Sequence, residues 1–132
     1  MEYSVKTHDN IIGHENTEWS NFWYDNANSN SQHRILLIGD STVRMVRSKF
    51  AKMANCPVDM LGTSSGLHDL LFVQQVNAFF SSVSYKWDLI YVQLRHHSRI
   101  NEFGNPYEKA DYGLFEREFE QFTEYLNSIL KT

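Results

Sequence analysis

Ser41 follows Gly39 and Asp40 at the end of the apolar run Ile35-Leu36-Leu37-Ile38, and a segment with helical spacing begins directly after it. At such a strand-to-helix turn a serine oxygen projects beyond the sheet. The first N–H groups of the helix can there receive an anion or a developing oxyanion. A hydroxyl in that place becomes a nucleophile at neutral pH only when a base takes its proton. The tripeptide also has a plainer reading, in which Ser41 or Thr42 simply caps the helix.

Bases are available at three positions. His96 and His97, flanked by Arg95 and Arg99, follow a later apolar run that starts at Trp87, so a parallel sheet opens them onto the same crevice as Ser41. Neighbours in extended backbone point to opposite faces, so one of the two histidines need face it. The planar fork of Arg95 suits a carboxylate, sulfate or phosphate. His68 lies in Gly66-Leu67-His68-Asp69, where Gly62 or Gly66 could add a backbone donor. Asp40 completes the set as a carboxylate at the turn itself. The plainer alternatives are a solvated basic loop at Arg95–Arg99 and a helix cap at His68-Asp69.

These residues need a scaffold, and the pattern of the chain supplies one. Ile35–Ile38 reads as a buried central strand bounded by turn residues. Val43, Val46, Phe50 and Met53, spaced by three and four, mark one helical face, with Arg44, Arg47, Lys49 and Lys52 on a basic solvent side. Val58 to Leu61 reads as a second strand and Gly62–Gly66 as a loop of small residues, in which Ser65 can cap the next helix. That helix presents Leu67, Leu70, Leu71, Val76, Phe79, Phe80 and Val83. Trp87 to Val92 is a third strand. A last helix carries Phe115, Phe119, Phe122, Leu126 and Ile129 on one side and Glu116, Glu120 and Glu124 on the other. Strand and helix alternate, which predicts an α/β domain with a parallel sheet in three layers over residues 34–132. Residues 1–33 read as a polar N-terminal segment with five acidic residues against one lysine, an aromatic cluster of Trp19, Phe22, Trp23 and Tyr24, and a solvated linker over residues 25–32. Three strands leave two exposed edges, so the N-terminal segment or another chain is expected to shield one. A homo-oligomer or a partner chain would do so.

Totals narrow the function classes. The 132 residues suit one domain, and 42% hydrophobic residues can fill a core. A net charge of −4 argues against nucleic acid or an anionic membrane as partner. The single Cys56 fits a reducing compartment, and no signal-peptide pattern or spanning run of apolar residues is visible, so a cytoplasmic location is expected. One cysteine and the absence of His-Glu-x-x-His speak against a metal centre. No Walker lysine and no three-glycine fingerprint is found, so no cofactor is expected.

The stretch Ile35-Leu36-Leu37-Ile38-Gly39-Asp40-Ser41-Thr42-Val43-Arg44 resembles the first block of the SGNH (GDSL-type) hydrolases, particularly sugar O-acyl esterases and acyltransferase-like members. The resemblance covers residues 34–130 and implies a flavodoxin-like, SGNH-like sheet in a short or incomplete version. It gives Ser41 the role of nucleophile, with its backbone N–H in the oxyanion hole, and places Gly62 or Gly66 as the glycine of the second block. The third block, Gly-x-Asn-Asp in the family, reads Gln93-Leu94-Arg95-His96-His97 here, so that by the resemblance Arg95 or His96 would donate to the oxyanion in place of the asparagine, and the closing Asp-x-x-His is absent. The base would then be His68, His96 or His97, or come from another chain. The expected function is hydrolysis of a small acyl ester, with an O-acylated sugar as one substrate class. The alternative is a catalytically inactive SGNH-like domain that binds a sugar, an anionic ligand or a protein. A receiver-like or flavin-binding sheet is the poorer third reading, since no acidic cluster accompanies Asp40.

Overall fold

The computed structural model describes residues 2–4, 17–29, 33–67, 69–94 and 112–130. They form a four-stranded mixed sheet with three helices. In chain order the elements are β1 (Ser20–Trp23), β2 (Ile35–Gly39), α1 (Ser41–Ala54), β3 (Val58–Thr63), α2 (Leu70–Ser81), β4 (Leu89–Gln93) and α3 (Tyr112–Ile129). Across the sheet the strands run β1-β3-β2-β4. β2 is parallel to both β3 and β4, whereas β1 pairs antiparallel with β3, Ser20 opposite Thr63 and Trp23 opposite Met60.

The topology explains the layers. From β2 the chain crosses through α1 to β3 on one side, then returns through α2 past β2 to β4 on the other. Right-handed crossovers in opposite directions put their helices on opposite faces. Accordingly Leu37, Val43, Val58 and Met60 form a small cluster under α1. Leu36, Ile38 and Leu61, whose side chains alternate to the other face, join Phe72, Val76, Phe79, Trp87, Phe122 and Leu126 in the larger core beneath α2 and α3. That core is rich in edge-to-face aromatic pairs, among them Phe72 with Phe122 and Phe80 with Tyr125. Tyr3 also joins it, its backbone N–H donating to Asn77 Oδ1 at 2.6 Å and its carbonyl accepting from Asn77 Nδ2 at 2.8 Å.

Several local expectations change. β1 is an additional strand: the aromatic segment shields the outer edge of β3, and the sheet is mixed rather than wholly parallel. Asp25, inside the expected linker, accepts from the Val58 N–H at 3.0 Å and lies 3.7 Å from Arg47. The cap of α1 is Asp40, not Ser41 or Thr42, and the cap of α2 is Asp69, not Ser65. A carboxylate one residue before each helix accepts from the N–H two positions on, at 2.9 Å in both cases, and also favours the positive end of the helix dipole. Gly62 and Thr63 belong to β3 rather than to a loop. On α1 only Val43 of the expected stripe is buried, while Val46, Phe50 and Met53 stay exposed. The helix is rotated so that Val43 and the small Ala51 and Ala54 meet the sheet, and Arg44 and Arg47 then lie over Trp19 and Trp23 of the β1 side, at 4.5 and 4.3 Å from the ring centres.

Candidate functional site

The parallel register brings the carboxyl ends of β2, β3 and β4 level, with Gly39 opposite both Gly62 and Gln93. Strand order reverses between β3 and β4 around β2, and ligand crevices of open α/β sheets form at such switch points. Ser41 stands there, the first residue of α1, exposed and directly after buried Asp40. First-turn N–H groups have no acceptor inside their helix, so the Ser41 N–H is available at this rim. Gly39 is required by close approach: a Cβ there would run into the Val43 side chain and lie 2.5 Å from the Gln93 carbonyl oxygen. The tight seat of β2 against β4 and α1 fixes where the turn places Ser41.

Asp40 is only 3% exposed, and its carboxylate accepts from the Thr42 N–H. Gly62 sits within β3 between Asn21 and Gly39, and its bare face receives the Trp19 ring, which an added Cβ would approach to 3.4 Å. Gly66 lies in the buried loop between β3 and α2, its carbonyl accepting from the Asp69 N–H at 3.0 Å. His68, Arg95, His96, His97 and Arg99 lie outside the described residues.

Two features of the rim were not singled out as site residues from sequence. Arg44, one helical turn after Ser41 and therefore on the same side of α1, is exposed and stacks on Trp19, which Gly62 supports from beneath. The spacing of three between Ser41 and Arg44 was the available signal. The second is Glu18, whose Oε2 accepts from Ser64 Oγ at 2.9 Å and Ser65 Oγ at 3.4 Å, tying the segment before β1 to the loop after β3. Nothing local in the sequence pairs positions 46 residues apart.

A cleft of about 600 Å³ lined by Phe80, Lys86, Trp87 and Tyr125 lies at the other end of β4, where the parallel strands begin. It is remote in topology from Ser41. Among the described residues no group of His, Cys, Asp and Glu has the arrangement of a metal centre, and no helix is long and apolar enough to cross a membrane. Compared with protein-family models and with curated protein sequences, the chain matches none.

Proposed function

We propose that the chain is an SGNH-like serine hydrolase of the esterase or deacylase class, acting on a small acyl ester. An O-acylated sugar is the substrate class the resemblance favours. The observation that carries the proposal is the position of Ser41, exposed as the first residue of α1 at the switch point, with Asp40 and Gly39 fixing the turn that presents it. Ser41 Oγ attacks the acyl carbon while an imidazole of His68, His96 or His97 takes its proton. The carbonyl electron pair moves to oxygen, where the Ser41 N–H and a donor from Gly66 or Arg95 hold it, the Gly62 N–H being taken up by the β1–β3 ladder. The alcohol leaves with the proton from the imidazole. Water then adds to the acyl-serine by the same route and releases the acid. Arg44, held by Trp19 beside Ser41, supplies positive charge for a substrate with a polar or anionic group.

The test is turnover of 4-nitrophenyl acetate and of a peracetylated sugar by the wild type and Ser41→Ala, with folding matched by circular dichroism. Loss of about 10³-fold or more in the variant is expected. Equal rates, or no rate in either protein, overturn the proposal.

A second reading, a ligand-binding domain without catalysis, is favoured by one observation. Asp40 and Ser41 begin a capped helix, a structural role that requires no chemistry from Ser41. Retained binding of an acetylated sugar by Ser41→Ala, with no turnover by the wild type, supports this reading instead.

A further inference from the structure

Among the described residues, most of the exposed large apolar side chains gather on one side. On α1, Val46 is 46%, Phe50 37% and Met53 85% exposed; on β4, Leu89 is 52% and Tyr91 51% exposed. Leu89 and Tyr91 stand opposite Ile35 and Leu37, which pack under α1, so both lie on the α1 face of the sheet. Val46, Phe50 and Met53, spaced by four and three, form a single flank of the helix. Arg44 and Arg47 are held toward β1 by Trp19 and Trp23. At 100° per residue the apolar flank therefore opens the other way, over β4. The result is a step, with β4 as its floor and the side of α1 as its wall.

The dimensions of the step select its occupant. α1 lies over β2 and β3, so with strands ~4.8 Å apart its axis is displaced by about 7 Å from β4. Helices pack with axes about 8–10 Å apart, so a helix laid against α1 comes to rest over β4 and covers Leu89 and Tyr91 together with the flank. A strand added beside β4 lies in the plane of the sheet and leaves that face bare. A second copy joined edge to edge through β4 would hold its own α1 about 19 Å away, too far for the two flanks to meet.

Charge narrows the choice further. α1 contains Arg44, Arg47, Lys49 and Lys52 and no acidic residue. Exposed Lys49, four residues before Met53, borders the flank on its solvent side. We propose that this step is the docking site for an amphipathic helix of a partner protein, apolar on one face and acidic along its border. The inference is independent of whether Ser41 is catalytic. The helix covers Val46, Phe50, Met53, Leu89 and Tyr91, and its carboxylates face Lys49 and Lys52.

Two synthetic helical peptides of about 20 residues test it, long enough to form in water. Both carry leucines at spacings of three and four; one is bordered by glutamates, the other by lysines. Fluorescence anisotropy against the full chain is expected to show the acidic peptide binding about five- to tenfold tighter than the basic one. Lys49→Glu with Lys52→Glu should reverse that preference. Met53→Asp, an exposed change that leaves the circular dichroism unaltered, should abolish binding of both. Failure of the acidic peptide to bind overturns the proposal, as does equal binding that ignores the charge reversal. Sedimentation of the chain alone as a dimer that Met53→Asp converts to monomer also overturns it, since the occupant would then be a second copy.

Discussion

Arg34 and Asp59 meet as a two-pronged pair with almost no access to solvent: Arg34 Nε donates to one carboxylate oxygen at 3.0 Å and Nη2 to the other at 2.8 Å. Trp87 Nε1 and the Asp25 N–H donate to the same carboxylate, both at 2.8 Å. Residues near the start of β2, β3 and β4 and the end of β1 are thereby tied at one point, at the opposite end of the sheet from Ser41. The remaining guanidinium nitrogen, Nη1, has no conventional acceptor, but the guanidinium lies 3.9 Å from the centre of the Tyr85 ring, which offers its π face. Burial alone would lower the Arg34 pKa, and the hydrogen bond and charge of Asp59 more than offset it.

Removing one partner from this pair should be far more damaging than any surface change. Asp59→Asn is expected to cost about 3–5 kcal/mol, because a buried guanidinium is left uncompensated. Arg34→Met should cost a similar amount, and the double variant less than the sum of the two. Urea unfolding of the four proteins measures all three terms.

Gly39 and Asp40 should separate by the kind of harm their substitution does. Gly39→Ala drives a methyl against the Gln93 carbonyl and is expected to cost about 1–3 kcal/mol. Asp40→Ala removes the α1 cap at about 1 kcal/mol, with Asp40→Asn milder. Thermal unfolding orders them, and under the hydrolase proposal Gly39→Ala lowers kcat because it displaces the turn that carries Ser41.

Alkaline pH should weaken the fold through its tyrosines. Burial raises Tyr3, Tyr24 and Tyr125 above the ordinary phenol value of 10.0, and Glu118 adds to the effect at Tyr3. A raised pKa means that the folded state holds the proton more tightly, so its stabilisation is complete below the unfolded pKa and is lost as pH climbs past it. The urea midpoint should therefore hold to about pH 10 and fall above it. Tyr3→Phe should flatten that fall. At neutral pH it should cost almost nothing, since the Tyr3 hydroxyl is buried without a hydrogen-bond partner.

Cys56 should react slowly. Burial and the nearby Asp88 and Asp25 push its thiol up, so less thiolate is present near neutral pH. Disulfide exchange with an aromatic reagent at pH 8 should be slower in the folded chain than in the chain unfolded by urea.

Much of this architecture could be read from residues in order. The run Ile35–Ile38, the acidic outer face of α3 at Glu116, Glu120 and Glu124, and the three parallel strands follow from local periodicity, which burial enforces. β1 did not, because four residues of mixed exposure give no alternation and owe their strand state to the waiting edge of β3. The orientation of α1 was also hidden. Periodicity marked Val46, Phe50 and Met53 as a stripe but could not know that Trp19 and Trp23 hold Arg44 and Arg47 on the other flank. At the site, the turn around Ser41 was legible because its three residues are consecutive. The Trp19–Arg44 stack and the hold of Glu18 on Ser64 and Ser65 join residues 25 to 47 positions apart, and no short pattern encodes them.

Whether Ser41 is a nucleophile is read out by covalent capture. The folded chain is treated with a fluorophosphonate, which phosphonylates a serine only when a base activates it, and the adduct is mapped by mass spectrometry. A single adduct on Ser41 that disappears in Ser41→Ala is expected. A folded protein that takes up no label at Ser41, or a Ser41→Ala variant labelled as fully as the wild type, would contradict it.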